Sequence, residues 1–252
     1  VTIVVLVKQV PDMNAVRIDK GSGTATTSGK AMNSFDGYAV QEALNLREAL
    51  GGEVIAVSAG PAMAKDALTR ALAMGADQGV HVELDDQANR DSLDMAKVLA
   101  EAVKPLDPGI VLCGQQSDDL ETGQIGPQIA ELLGMPHVSY VVDIKVDGES
   151  LRMRRDTEGG YQQVGVPLPA LVMVQPGLTE PTYPSIKGMM AAKRKPVEKV
   201  AAADKDSATR LSWSEPRVPE REAQGILVQG ESAEDAAKKL VAWMKEQKLI
   251  AS

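Results

Sequence analysis

The chain is poor in the residues that most often announce a chemistry. Of 252 residues one is a cysteine, Cys113, so no disulfide framework holds the fold, and a reducing compartment is the simplest setting. Only two histidines occur, His81 and His137, neither with a partner at metal-ligand spacing, so no metal site is expected. One Phe, two Trp and four Tyr offer little ring surface for stacking bases or sugars. No apolar run approaches the roughly 20 residues that a membrane-spanning helix needs. The first apolar stretch, Thr2 to Val7, is too short for a signal peptide. Basic residues are outnumbered 27 to 35, and the net charge of −8 opposes generic attraction to nucleic acid or an anionic membrane. A cytoplasmic protein without nucleic-acid partner or membrane insertion is expected. There is also no G-x-S-x-G elbow, Walker A loop or G-x-G-x-x-G fingerprint.

What is present, over the first 135 residues, is an alternation of short β-branched runs with longer helical patterns, the signature of a parallel sheet covered by helices. Strands are expected at Thr2–Val7, Glu53–Ser58, Gly79–Glu83 and Ile110–Cys113. Helices are expected over Gly37–Leu50, from Gly60-Pro61 through Gly75, over Asp91–Lys104 and from Thr122 to Gly134. Period-two alternation then takes over, with Asp147-Gly148 as a hairpin turn. Residues 175–230 hold six of the fourteen prolines and few apolar runs, which predicts an extended arm. A capping box, Ser232 to Asp235, opens a terminal amphipathic helix. The expected fold is therefore α/β, with a sheet-and-helix domain over 1–174, for which the strand ends and the resemblance below imply nucleotide binding, and an arm with a terminal helix over 175–252.

No catalytic group stands out, so the site is defined by position. In open α/β sheets, ligands lie outside the carboxyl ends of the strands. Three such ends carry small or polar residues: Leu6-Val-Lys-Gln9, Ser58-Ala-Gly-Pro61 and the loop Gly114 to Gly126. In the last, Thr122, Gly123 and Gln124 would offer free backbone N–H groups at a helix start, where a phosphate binds well. The competing reading is an ordinary helix cap. Asp118, Asp119 and Glu121 oppose a phosphate unless they face a ribose or another protein. Cys113 ends an apolar strand and reads as an inert buried thiol. The only Phe stands in Met32-Asn-Ser-Phe-Asp36, either as a hydrophobic anchor or facing a cofactor held by another chain. The basic run Lys193-Arg-Lys195 follows Ile186-Lys-Gly-Met-Met190, where flexible methionines suit a docking helix better than a plain solvated face.

Taken in order, Val5-Leu-Val-Lys-Gln-Val-Pro11, Met32–Asp36, Val54-Ile-Ala-Val-Ser-Ala-Gly-Pro61, Ala71–Asp77, Gly114–Pro127, Arg154–Gly160, Pro169–Val172, Glu180–Tyr183 and Met190–Lys195 resemble the beta subunits of electron-transfer flavoproteins. The resemblance implies an adenine-nucleotide-hydrolase-like, Rossmann-type domain and a heterodimer whose alpha subunit holds the redox-active FAD, with AMP in the beta subunit of most members. It puts nucleotide contacts on Leu6, Asn33, Ser34, Phe35, Asp36, Ala59, Gly114, Gln116, Ser117, Asp119, Glu121, Thr122, Gly123, Gln124 and Ile125. It puts partner docking on Ile186, Met189 and Met190, with Asp156 meeting the mobile flavin domain and Phe35 near the partner's flavin. It implies no catalytic residue in this chain, electrons donated by an acyl-CoA or other flavin dehydrogenase and accepted by a quinone oxidoreductase, and a cytoplasmic or mitochondrial-matrix location.

Electron-bifurcating relatives carry a second FAD in place of AMP, and the second half of Ser117–Pro127 resembles that type, whereas Asp118 and Leu120 depart from it. Ala191–Lys195 looks like the AMP-binding members, so AMP is expected and FAD is the alternative. Two other classes fit the sequence less well. A stand-alone adenine-nucleotide hydrolase needs a pyrophosphate loop after the first strand, which Val10-Pro-Asp-Met-Asn does not resemble, and a homodimerising stress-type nucleotide module has no need of the arm.

Overall fold

The computed structural model describes residues 1–19, 21–202, 210–212, 214 and 227–250. The parts of the expected arm at 203–209, 213 and 215–226 lie outside the described residues. By internal contacts the chain forms two units, Val1–Pro216 and Arg217–Ser252.

In the first unit, β1 (Thr2–Leu6) is followed by short strands β2 (Gln9–Pro11), β3 (Val16–Ile18), β4 (Ala25–Thr27) and β5 (Lys30–Met32), then α1 (Ser34–Leu50), β6 (Glu53–Gly60), α2 (Lys65–Met74), β7 (Gln78–Glu83), α3 (Ser92–Val103), β8 (Ile110–Gly114) and α4 (Ile125–Leu133). A meander β9 (His137–Asp147), β10 (Ser150–Thr157) and β11 (Gly160–Pro167) precedes β12 (Ala170–Val174), α5 (Ile186–Ala192) and β13 (Val197–Ala201). Nine strands make one sheet in the order β11-β10-β9-β12-β8-β1-β6-β7-β13. Only the β9-β10-β11 meander is antiparallel; the remaining neighbours pair parallel.

The apolar runs of β1, β6, β8 and β12 are long because both faces of those strands are covered. On one face Ile3, Val5, Val54 and Ala56 pack with Ala39, Val40 and Ala43 of α1 and Leu68 and Leu72 of α2. On the other, Val4, Leu6, Ile55, Val57 and Val111 pack with Ala96, Leu99 and Val103 of α3 and Ile129 of α4. Burying a leucine or isoleucine fully stabilises by roughly 1.5–3 kcal/mol, so these layers dominate the stability of the unit.

The expected boundary at residue 174 does not coincide with the division by contacts. Helix α5 packs on α2, and β13 pairs with β7 from Val197 opposite Gly79 to Ala201 opposite Glu83, so the stretch after β12 completes the sheet at its far edge. Helix starts also shift. The helix expected from Gly60-Pro61 begins at Lys65 after a single tight turn, Ala62–Ala64. The one expected from Thr122 begins at Ile125, because Glu121 and Gly123 take φ of 52° and 61°, outside the helical region.

The second unit contains α6 (Ala233–Glu246). Ser232 accepts a hydrogen bond from the Asp235 backbone N–H at 3.2 Å, and Glu234–Lys238 and Asp235–Lys239 pair one turn apart at 2.8 Å. None of its helical residues is buried within the chain.

Candidate functional site

The carboxyl ends of β1, β6 and β8 open into a cavity of about 160 Å³ on the α3/α4 side of the sheet. Its floor is apolar, built by Leu6, Val57, Ala59, Met95, Leu99, Cys113 and Met173. Its rim is polar and comes from four chain segments: Lys8 after β1, Asn33 and Asp36 at the start of α1, Gln87 to Ser92 before α3, and the loop between β8 and α4. Of the residues expected to bind a nucleotide, Leu6, Asn33, Asp36, Ala59, Gly114, Gln116, Ser117, Thr122, Gly123, Gln124 and Ile125 line this cavity. Ser34, Phe35, Asp119 and Glu121 do not line it.

Each of the four has a visible reason. Ser34 is held from outside by Asp118, whose carboxylate accepts from the Ser34 N–H at 2.8 Å and its hydroxyl at 2.7 Å. Phe35 is half-buried against the end of β8, so close that a Cβ on Gly114 would come within 2.5 Å of the Phe35 Cβ. Asp119 turns to Lys8, whose ammonium reaches both carboxylate oxygens at 2.8 Å and the Ser117 hydroxyl at 3.3 Å. Glu121 is exposed on the outer turn of the loop.

The loop acids therefore have partners other than a phosphate. Asp118 serves as a distant cap for α1, an arrangement favoured by the positive end of the helix dipole, and Asp119 is neutralised by Lys8. With these charges occupied, the backbone N–H groups of Thr122, Gly123 and Gln124 have no acceptor among the described residues. Ile125 and Gly126 follow in the first turn of α4, and Pro127 stands at its third position, where an N–H would be unbonded anyway.

Asp36 is the structural centre of the rim. It is buried, and its carboxylate gathers the backbone N–H of Lys8 at 2.7 Å, that of Gly114 at 3.2 Å and the Asn33 side-chain amide at 2.8 Å. One carboxylate thus ties the ends of β1 and β8 to the start of α1. Burial pushes its pKa up to about 7, while the three N–H donors and the nearby Lys8 charge pull the other way. Asn33 extends the same network, donating to the Gln116 carbonyl at 2.9 Å and accepting from the Asp118 N–H at 2.9 Å. Burial also pushes the Cys113 thiol far up, and the Asp36 charge adds to it, so the thiol is inert.

Several contacts in and around the rim have no local signature in the sequence. Lys8 and Asp119 are 111 positions apart. Arg90 is enclosed between Asp86 at 3.0 Å and Asp94 at 3.2 Å, and Ser92 bridges Gln124 and Gln128 at 2.8 and 3.2 Å. Gln115, buried, accepts from the Tyr140 N–H at 2.7 Å. Leu120 and Leu211 stand at the mouth. Lys8 and the residues of the Gly114–Gly126 loop could be picked out by their strand-end position, whereas Arg90, Ser92 and Leu211 could not.

The expected docking residues lie elsewhere. Ile186, Met189 and Met190 are exposed on α5, Ile186 to 76 %, and Asp156 is exposed near the tip of the β10–β11 hairpin. Helix α5 is fixed by Ser185, which accepts from the Gly188 N–H at 3.0 Å, and by Lys195, whose ammonium donates to the carbonyls of Leu72 and Ala76 at the end of α2, at 3.0 and 2.6 Å. Desolvation there lowers the pKa of Lys195.

Comparison with known proteins turns this geometry into a family assignment. The model of the electron transfer flavoprotein domain matches residues 23–205. The beta subunit of the electron transfer flavoprotein of Thermoanaerobacterium thermosaccharolyticum is 42% identical over 204 residues, covering 80% of this chain and 78% of the relative. The chain belongs to the electron transfer flavoprotein beta-subunit family.

The likeness extends across the length of the family. The beta subunit from Syntrophomonas wolfei is 38% identical over 246 residues, covering 96% of this chain and 95% of the relative. Subunit CarD of the caffeyl-CoA reductase-Etf complex of Acetobacterium woodii is 34% identical over 260 residues, covering 98% and 99%. As a family member the chain functions in electron transport as the beta subunit of an electron transfer flavoprotein, which implies an alpha-subunit partner. No helix among the described residues is long and apolar enough to cross a membrane.

Proposed function

We propose that this beta subunit binds AMP structurally in the β1/β6/β8 cavity and docks flavin dehydrogenases through α5. The observation that carries the nucleotide reading is the pairing of an apolar floor with unbonded backbone donors at the start of α4. A cavity of about 150 Å³ holds one aromatic ring, and the open cleft of about 160 Å³ here would take a single adenine, with ribose and phosphate along the rim. Leu6, Ala59 and Met173 would meet the base, and Thr122 to Gly126 would meet the phosphate by their N–H groups. Ser117 and Lys8 stand beside it. AMP would supply no redox chemistry; that belongs to FAD in the alpha subunit.

This chain's own part is to hold and present. Ile186, Met189 and Met190 form an adaptable apolar face for an acyl-CoA or other flavin dehydrogenase, and Asp156 and Phe35 would face the alpha subunit's flavin domain. Electrons would leave towards a quinone oxidoreductase, in the cytoplasm of a bacterium or archaeon or in a mitochondrial matrix.

The test is to co-express the chain with its alpha subunit, denature the purified heterodimer and identify the released nucleotides by mass spectrometry. One AMP and one FAD per heterodimer is the expected result. Two FAD would replace AMP by a flavin in this cavity, and a nucleotide-free chain would overturn the reading.

A further inference from the structure

The cavity has a wall that neither the strand ends nor the loop before α4 supplies. Ala202, next after β13, is buried in the core cluster on the cavity side of the sheet. Residues 210 and 211 stand beside the cavity: the Arg210 backbone N–H donates to Asp91 Oδ2 at 3.0 Å, and Leu211 is among the lining residues. Asp91 has a second task, since its other oxygen accepts the Asp94 N–H at 2.9 Å and caps α3.

We infer that residues 210–212 close the cavity over its occupant, with Leu211 as the covering side chain and Asp91 as the clasp. The inference rests on the nucleotide reading above and adds to it a residue that controls exchange. An apolar side chain at the mouth of an otherwise polar rim excludes water from the phosphate end of the site, where backbone N–H bonds are strongest when dry. While the Arg210–Asp91 bond holds Leu211 over this side of the cavity, release is slowed without any new contact to the base.

The helix cap and the Arg210 contact at Asp91 can be tested apart. Asparagine caps a helix as well as aspartate does, but Asp91→Asn can present only one acceptor oxygen, leaving the Arg210 N–H facing an amide. Leu211 is 55% exposed, so Leu211→Ala should leave the core intact. The heterodimer with its alpha subunit is loaded with AMP and chased with isotope-labelled AMP, and exchange is followed by mass spectrometry. Asp91→Asn and Leu211→Ala should each exchange at least roughly fivefold faster than wild type, as the loss of a charge-assisted hydrogen bond or of a covering side chain implies. Wild-type exchange rates in both variants would overturn the clasp while leaving AMP binding in place. A wild-type heterodimer that holds no exchangeable AMP would overturn the nucleotide reading and the clasp with it.

Discussion

The carboxylate of Asp118 clamps Ser34 with two hydrogen bonds, 2.7 Å to the hydroxyl and 2.8 Å to the backbone N–H, across 84 positions of sequence. Helix α1 has no cap from Asn33 itself, whose side chain is engaged with Asp36, Gln116 and Asp118. Asp118→Ala should therefore remove the cap and the anchor of the loop before α4 together. A loss of about 1–2 kcal/mol is expected in chemical denaturation. A variant as stable as wild type would mean the clamp contributes nothing.

Asp36→Asn tests the buried carboxylate. One oxygen serves Asn33 and Gly114, the other serves Lys8, and an asparagine has a single acceptor for these three donors. Whichever way the amide turns, an N–H is left against an N–H. The expected cost is about 1–3 kcal/mol, visible as a lower denaturation midpoint with an unchanged slope.

The same residue gives a pH dependence of definite sign. Its pKa rises from 3.8 to about 7 on folding because burial disfavours the charge. The folded state therefore holds this proton more tightly, and the stability it contributes is complete below pH 3.8 and lost as pH rises to about 7. The difference in unfolding free energy between wild type and Asp36→Asn, measured from pH 4 to 8, should move against wild type with rising pH. A difference independent of pH would refute the buried titration.

Docking through α5 predicts that Ile186→Ala slows reduction of the heterodimer by its dehydrogenase and leaves its AMP content unchanged. Gly188→Ala should act in the same direction by another route, since a Cβ there would come within 2.6 Å of the Ala73 carbonyl oxygen and push α5 off α2. Stopped-flow reduction rates and nucleotide content measured on the same samples check both. Loss of AMP in Ile186→Ala would sever α5 from docking.

The parts of the fold written in the sequence are those with a local cause. The β-branched runs at β1, β6, β7 and β8 and the Asp147-Gly148 turn lie where patterning puts them, with Gly148 at φ 61°. Strand β13, Val-Glu-Lys-Val-Ala, escaped notice because an edge strand need bury little, and its two charged residues read as arm. The start of α4 is not legible in the sequence because a glutamate, Glu121, adopts a left-handed φ that its side chain does not advertise. The cavity followed from strand ends, but the approach of Arg210 and Leu211 to it did not. Lys8 with Asp119, Asn33 with Gln116 and Arg210 with Asp91 are long-range pairs without any spacing signal.

The position of β13 has a consequence for biosynthesis. Strand β7 is paired on one side by β6, close in sequence, but its other side waits for residues 197–201, which emerge from the ribosome more than a hundred residues later. Until then a nearly buried strand offers a row of unpaired backbone groups, the kind of template that recruits foreign strands. A nascent or truncated chain ending before Val197 is thus the form most prone to aggregate, and the segment that closes that edge is also the one that carries α5 into place.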